Sequence, residues 1–330
     1  MTIWLSPQEI VALPTTGASW EAVLAASKKR SAIDLSDQDS KADTDLLALA
    51  LVAARMTDSN LRRQAIEIID AAPGTEDGGR TLALGRNLQA LVIAADIVQH
   101  TPRAFCSWLE IVMRENLDGK TLLSTHERRP NNWGTHAGAA RVAADWFLYK
   151  YGSSEQKLRA MEDGIRTCKT WREWMGGPSR HGETGFGEEF TFSELDWQAD
   201  PKNPKGINPK GSMKDGHSID GVLPDDQRRA GAFTWPPPKE NYCWEALQGA
   251  YVAATIMARA PWPGPAVWQW SDRALLRAVK WLIEECQFPA SGDDEWITPL
   301  VNKAYGTGYN YKVPTSPGKG CGFTCWTHTP

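Results

Sequence analysis

The stretch Asn131–Tyr151, NNWGTHAGAARVAADWFLYKY, decides how the rest of the chain is read. From Thr135 to Tyr151 apolar residues recur at spacings of three and four, the period of a helix with a buried face. Two asparagines precede that run, where an Asn side chain commonly satisfies the free backbone donors of a first helical turn. Asn132 and His136 are four apart, so a helix beginning near Asn131 projects an amide and an imidazole from one face.

The same period returns on both sides, over Asp45–Met56, Leu61–Ala72, Gly85–His100, Arg103–Asn116, Glu155–Met175, Tyr242–Ala260 and Asp272–Gln287. Strand-like alternation is scarce. The breaks between segments are short, for example Thr57–Asn60 and Thr101–Pro102, as antiparallel helix pairs require. This pattern predicts an all-α chain of one domain spanning residues 1–330. Serial helical hairpins of this length close most naturally into an α/α toroid, or an incomplete barrel of antiparallel helix pairs, with a groove at one end. A helical solenoid would carry a repeat of fixed period, and none is visible. Two regions interrupt the helices: a Gly-, Pro-, Asp- and Lys-rich insertion over about 176–241 with no convincing helix, and an aromatic, Gly-rich tail over about 288–330. Both are expected to wall the groove, because long loops in compact domains are usually functional or disordered.

The 330 residues, 42% of them hydrophobic, suffice for a large core, and the formal net charge of -4 argues against nucleic-acid or membrane-surface partners. No run approaches the ~18 apolar residues of a membrane span. Met1–Leu13 lacks a basic segment followed by an apolar one, so no signal peptide is readable, and secreted, phage-borne and cytoplasmic locations all stay open. Oligomeric state leaves no mark in the sequence. Sixteen tryptophans divide between core filling and sugar stacking, with the core expected to take most. The cysteines Cys106, Cys168, Cys243, Cys286, Cys321 and Cys325 include no CxxC pair and are expected to be mostly buried thiols, with Cys321 and Cys325 open to pairing in an oxidising compartment. The six histidines are dispersed, so neither a metal nor any other cofactor is expected.

Chemistry concentrates in two places. Arg128, Arg129, Asn131, Asn132 and His136 crowd the start of the quoted helix; a helix cap and a core histidine are the structural alternatives there. Asp215–Arg229 mixes carboxylates, His217, Arg228 and Arg229, and is followed by Trp235, Lys239, Tyr242, Trp244 and Glu245. Exposed ion pairs between Arg228, Arg229 and Asp225, Asp226 are the structural alternative in that segment.

The helix start at Asn131, Asn132 and the run Asp220, Gly221, Leu223, Pro224, Arg229 resemble the two signature segments of the alginate lyase superfamily. Glu76–Asn87 (EDGGRTLALGRN), Asn131–His136 (NNWGTH), Asp215–Gln248 and Asn302–His328 extend the resemblance over nearly the whole chain, and polysaccharide lyase family 38, alginate and glucuronan lyases on an α/α toroid, is the most similar pattern. Family 5 alginate lyases offer a check by residue. Asn131 and Asn132 match their paired asparagines, Trp133 stands where they have His, and His136 is the candidate substitute one turn on. Arg229 matches their arginine, and Tyr242, with Ala246, Leu247 and Gln248, keeps the register of their catalytic tyrosine at a longer spacing from the arginine.

The resemblance implies β-elimination from a uronate-containing, anionic polysaccharide. That reaction removes the C5 proton and expels the C4 glycosidic oxygen, so negative charge building on the carboxyl group must be stabilised. Asn132 is the donor to that group, with Asn131 or His136 as helper. Tyr242 is the acid and base, and a cation such as Arg229 beside it favours the phenolate. For proton and leaving group on one sugar face, as in mannuronate, one tyrosine serves both roles; on opposite faces His136 becomes the candidate base. Arg80, Arg86, Arg228, His217 and Lys239 are candidates for neighbouring uronates. Trp235, Trp244 and Tyr305 are stacking candidates, with Tyr305 the reserve catalytic tyrosine. Two rival classes remain: a hydrolase using a carboxylate pair among Asp225, Asp226, Glu245, Asp294 and Glu295, and a glycan-binding protein without turnover.

Overall fold

A computed structural model of the protein describes residues 2–177, 186, 189, 196–313, 316 and 318–329; the rest of the long loop expected to wall the groove lies outside them. The described chain is mostly helical, with one two-residue β-hairpin, Met213–Lys214 against His217–Ser218. The helices are α1 (Pro7–Ala12), α2 (Ala18–Ala26), α3 (Ala42–Met56), α4 (Ser59–Asp70), α5 (Thr81–Ile97), α6 (Arg103–Val112) and α7 (Leu122–Arg128). They continue with α8 (Asn132–Tyr151), α9 (Ser154–Trp174), α10 (Pro224–Gln227), α11 (Tyr242–Arg259), α12 (Trp270–Lys280), α13 (Ile297–Tyr305) and α14 (Thr324–Thr327).

Two kinds of helix build the core. Every residue of α5 is buried, as are Ala42–Ala53 of α3 and nearly all of α8 and α11. These helices are rich in Ala and Leu and buried on nearly every face, as a helix with neighbours on all sides is. By contrast α4, α6, α9 and α12 bury one stripe each, such as Phe105, Cys106, Leu109 and Val112 in α6. The buried helices pack in sequence, α3 on α5, α5 on α8, α8 on α11 and α11 on α13, while α4 covers α3 and α9 covers α8. Contacts of α13 with α14, α14 with α2 and α2 with α3 close the circuit. The chain ends are tied together there: Trp326 Nε1 donates to the Pro14 carbonyl at 2.8 Å, and Trp20 meets Trp326 with ring centroids 5.3 Å apart.

Glycine sets how closely the central helices approach. A Cβ on Gly85 of α5 would stand 2.8 Å from the backbone nitrogen of Ala137, and one on Gly249 of α11 would stand 2.5 Å from the Thr135 carbonyl carbon. Both faces of α8 at Thr135–Ala137 are therefore in backbone contact with a neighbour, and only a residue without a side chain fits.

The periodic segments all form helices, with boundaries moved by a few residues. The helix read over Asp272–Gln287 differs more: α12 stops at Lys280 and a π-helical turn covers Trp281–Glu285. Ser271, Asp272 and Arg273 have positive φ, so its regular right-handed portion begins at Ala274. The insertion over 176–241, read as free of helix, contains α10 and the 3-10 turn Arg228–Ala230. The short α1, α2, α7, α13 and α14 also went unread, because one to three turns carry too few apolar positions to display a period. All six cysteines are free, so Cys321 and Cys325, both buried, are not bonded to each other.

Candidate functional site

The first turns of α8 and α11 and the N-terminal part of α5 line one cavity of about 500 Å3, a size typical of ligand sites. Helix N-termini carry partial positive charge, so three of them at one cavity favour an anion. Arg86 from α5, Arg229 and Lys319 add three cations to the lining, against one carboxylate, Glu245, among the described lining residues.

At the α8 end the paired asparagines divide the work. Asn131 is the helix cap: its side-chain oxygen accepts the Trp133 N–H at 3.1 Å. The Asn132 backbone N–H is taken instead by Asp226, whose Oδ1 accepts it at 3.0 Å. That leaves the Asn132 carboxamide for other use. It lines the cavity, it is buried, and its Nδ2 has no hydrogen-bond partner among the described residues. A buried amide donor left unmade costs about 1–3 kcal/mol, so such an atom on a cavity wall marks where a ligand oxygen would sit.

Tyr242 opens α11 and stands at the cavity mouth, 38% exposed. The Arg229 guanidinium lies 4.2 Å from the centre of its ring and forms no ion pair among the described residues. One turn along α11, Glu245 pairs with Arg86, whose Nη1 also donates to the Gln38 carbonyl at 3.4 Å. Lys319 pairs with Asp39 at 2.9 Å. Trp133, at the position where family 5 enzymes have His, lines the cavity with the Arg129 guanidinium 4.4 Å over its ring.

His136 lies elsewhere than expected. It is completely buried one turn behind Asn132 and is not part of the cavity wall; its Nδ1 is 3.4 Å from Gln89 Nε2. Burial, with the charges of Arg86 and Lys319, drives its pKa well below the ordinary histidine value, so the imidazole is neutral. Trp244 is a core residue, 1% exposed, donating from Nε1 to the Phe288 carbonyl at 3.1 Å. Tyr305 packs on Trp268 away from the cavity, and burial pushes its phenol up. Neither ring can stack on a substrate held at this site. Arg80 caps α5 but turns to Asp118, 3.5 Å away, beside a separate depression. Arg228 pairs with Asp225 at 3.0 Å. His217 and Trp235 stack on each other with centroids 4.4 Å apart, and Lys239 is solvent-exposed; none of the three lines the cavity.

Glu245 and Lys319 were missed as parts of an anion site. Glu245 stands in the sequence among the Tyr242 cluster and the candidate hydrolase carboxylates, with nothing to mark it as an Arg86 partner, and Lys319 sits in a Gly-rich tail with no local signal. Of the five carboxylates open to a hydrolytic pair, only Glu245 lines the cavity. Asp226 and Asp294 are buried, and burial raises both carboxyls well above the usual range. Asp225 is paired with Arg228, and Glu295 accepts the Lys312 N–H at 2.8 Å. Among the described residues no group of three His, Cys, Asp or Glu is placed to hold a metal ion, and no helix is long and apolar enough to cross a membrane. Compared with known proteins, the chain matches no family model and no curated sequence.

Proposed function

We propose that the protein is a polysaccharide lyase that cleaves a uronate polymer by β-elimination. The observation that carries this reading is the buried Nδ2 of Asn132, without a partner among the described residues, on the wall of a cation-lined cavity that also holds Tyr242 and Arg229. In the reaction the uronate carboxylate enters among the three helix N-termini and accepts a hydrogen bond from Asn132 Nδ2. Charge passing onto that carboxylate as the C5 proton leaves is met by a donor already in place, which requires no reorganisation. Arg229, which forms no ion pair among the described residues, supplies the long-range attraction for the anion. The Tyr242 oxygen takes the C5 proton and returns it to the departing C4 oxygen, leaving a C4–C5 double bond on one product and a hydroxyl on the other.

Tyr242 is the one proton carrier of the expected set on the cavity wall, which favours substrates with proton and leaving group on the same sugar face, as in polymannuronate. Two carboxylates on opposite sides of a scissile bond, the requirement of a hydrolase, have no counterpart among the described lining residues. The circuit of helix contacts from α3 round to α2, with α4 and α9 outside it, supports the α/α toroid as the fold.

Ultraviolet absorbance of the purified protein mixed with polymannuronate, polyguluronate or glucuronan, each with and without chelator, tests the proposal. Absorbance from unsaturated uronate is expected, fastest on polymannuronate and unaffected by chelation. New reducing ends without that absorbance would establish hydrolysis instead, and binding without either signal would establish a glycan-binding protein.

A further inference from the structure

Asn132, Arg229 and Tyr242 belong to three separate segments, and two buried side chains of α10 tie the segment that carries Arg229 to the start of α8 and to the chain on either side of Tyr242. Asp226, 1% exposed, reaches across 94 residues of sequence to accept the Asn132 N–H. Its other oxygen has no partner among the described residues, and burial raises its carboxyl well above the usual carboxylate range. Gln227, fully buried, donates from Nε2 to the Pro238 carbonyl at 2.8 Å and accepts the Cys243 thiol proton on Oε1 at 3.3 Å. Cys243 adjoins Tyr242, and Pro238 belongs to the loop leading into it. Arg229 follows two residues after Gln227, in the 3-10 turn that continues α10.

The first N–H groups of a helix lack intrahelical partners, and water or a local cap usually serves them. Here the Asn131 side chain serves only the Trp133 N–H, and the buried Asn132 N–H is met from a distant segment by a carboxyl whose second oxygen has no partner among the described residues, a costlier arrangement than a local acceptor or water. We infer that Asp226 and Gln227 are positioning residues, a two-residue clamp that sets the Asn132 amide, the Arg229 guanidinium and the Tyr242 phenol in register without touching substrate. The inference rests on the elimination reading for what those three groups do; the clamp itself is a statement about geometry.

The test compares Asp226→Asn, Asp226→Ala and Gln227→Leu on the uronate polymer cleaved by the unaltered protein, together with amide hydrogen exchange over 131–135 and 228–242. Asn keeps an acceptor for the Asn132 N–H at the same place, so Asp226→Asn should hold kcat within about twofold. Asp226→Ala and Gln227→Leu should lower kcat about 10- to 100-fold, the cost of a misplacement on the order of 1 Å, while KM moves less than about threefold. Both should speed exchange in those two segments alone. A folded Asp226→Ala with unchanged kcat overturns the clamp, and so does an Asp226→Asn as impaired as Asp226→Ala, since the acid proton itself would then be required. Should Asp226→Ala not fold, Gln227→Leu decides by the same criterion. If the unaltered protein cleaves no uronate polymer, the elimination reading fails and exchange alone decides: acceleration confined to the two segments upholds the clamp, and unchanged exchange removes it.

Discussion

The side chain of Asn132 is worth most where it is least satisfied. Its neighbour Asn131 caps α8 and Asp226 holds its own backbone N–H, while its Nδ2 has no partner among the described residues and is open to a ligand. Asn132→Ala should therefore lower kcat about 10²- to 10³-fold with a much smaller change in KM, because the donor acts mainly on charge that develops in the transition state; equal losses in binding and turnover would make it an ordinary contact. Tyr242→Phe should reduce turnover about 10²- to 10⁴-fold, the usual worth of a proton carrier. Its melting temperature should match the parent's, because the ring is 38% exposed and keeps its contact with Arg229. Retained cleavage would remove Tyr242 as the acid and base. Asn132 was legible as a candidate from the helix start beside it, and Arg229 and Tyr242 through the resemblance of their segments to lyase signatures. His136 was legible only as a residue type: four residues from Asn132 on the helix, it follows the buried face behind it.

At the scale of helices, the site exists because α5, α8 and α11 approach at backbone distance near their N-terminal ends. Gly249→Ala would place a methyl against the Thr135 carbonyl, rigid backbone that cannot rotate away. Destabilisation of about 3 kcal/mol is expected, as for overpacking of a tight core, and chemical denaturation measures it. The displaced α11 also carries Tyr242 and Glu245, so activity of the folded variant should fall as well; normal activity with lowered stability would show that the helix ends tolerate separation. Glycines at 85 and 249 are unremarkable in the sequence, where a helical Gly reads only as a mild weakness. Their role is visible only once the facing backbone is known.

Across the whole molecule, burial leaves several titratable groups in uncharged forms. Desolvation pushes the Asp145 carboxyl up to about 7 from an ordinary 3.8, while Thr167 Oγ1 donates to it at 2.9 Å. In the unfolded chain the proton leaves near the ordinary value. Between about pH 4 and 7 the native state thus holds a proton that the unfolded state lacks, and this group's contribution to stability falls as pH rises. Asp145→Asn removes that dependence. Its stability relative to the parent should climb across the same window, by on the order of a few kcal/mol, in urea denaturation from pH 4 to 8. Parallel curves for the two proteins would mean that Asp145 is ionised in the native state.

The sequence by itself determined the helical class and the position of most long helices, because a period of three to four apolar residues is a local property of the chain. It also singled out Asn132, Arg229 and Tyr242, through short motifs that a linear reading can hold. Tertiary structure alone decided what those residues meet. Arg86 finds Glu245 across 159 residues and Asp226 finds Asn132 across 94. Lys319 comes to the cavity from a tail with no local signal, and Trp244 and Tyr305 turn away from it despite their promising neighbours. Burial separates these outcomes: it depends on which faces the packed helices cover, and no single segment encodes the surface that will lie against it.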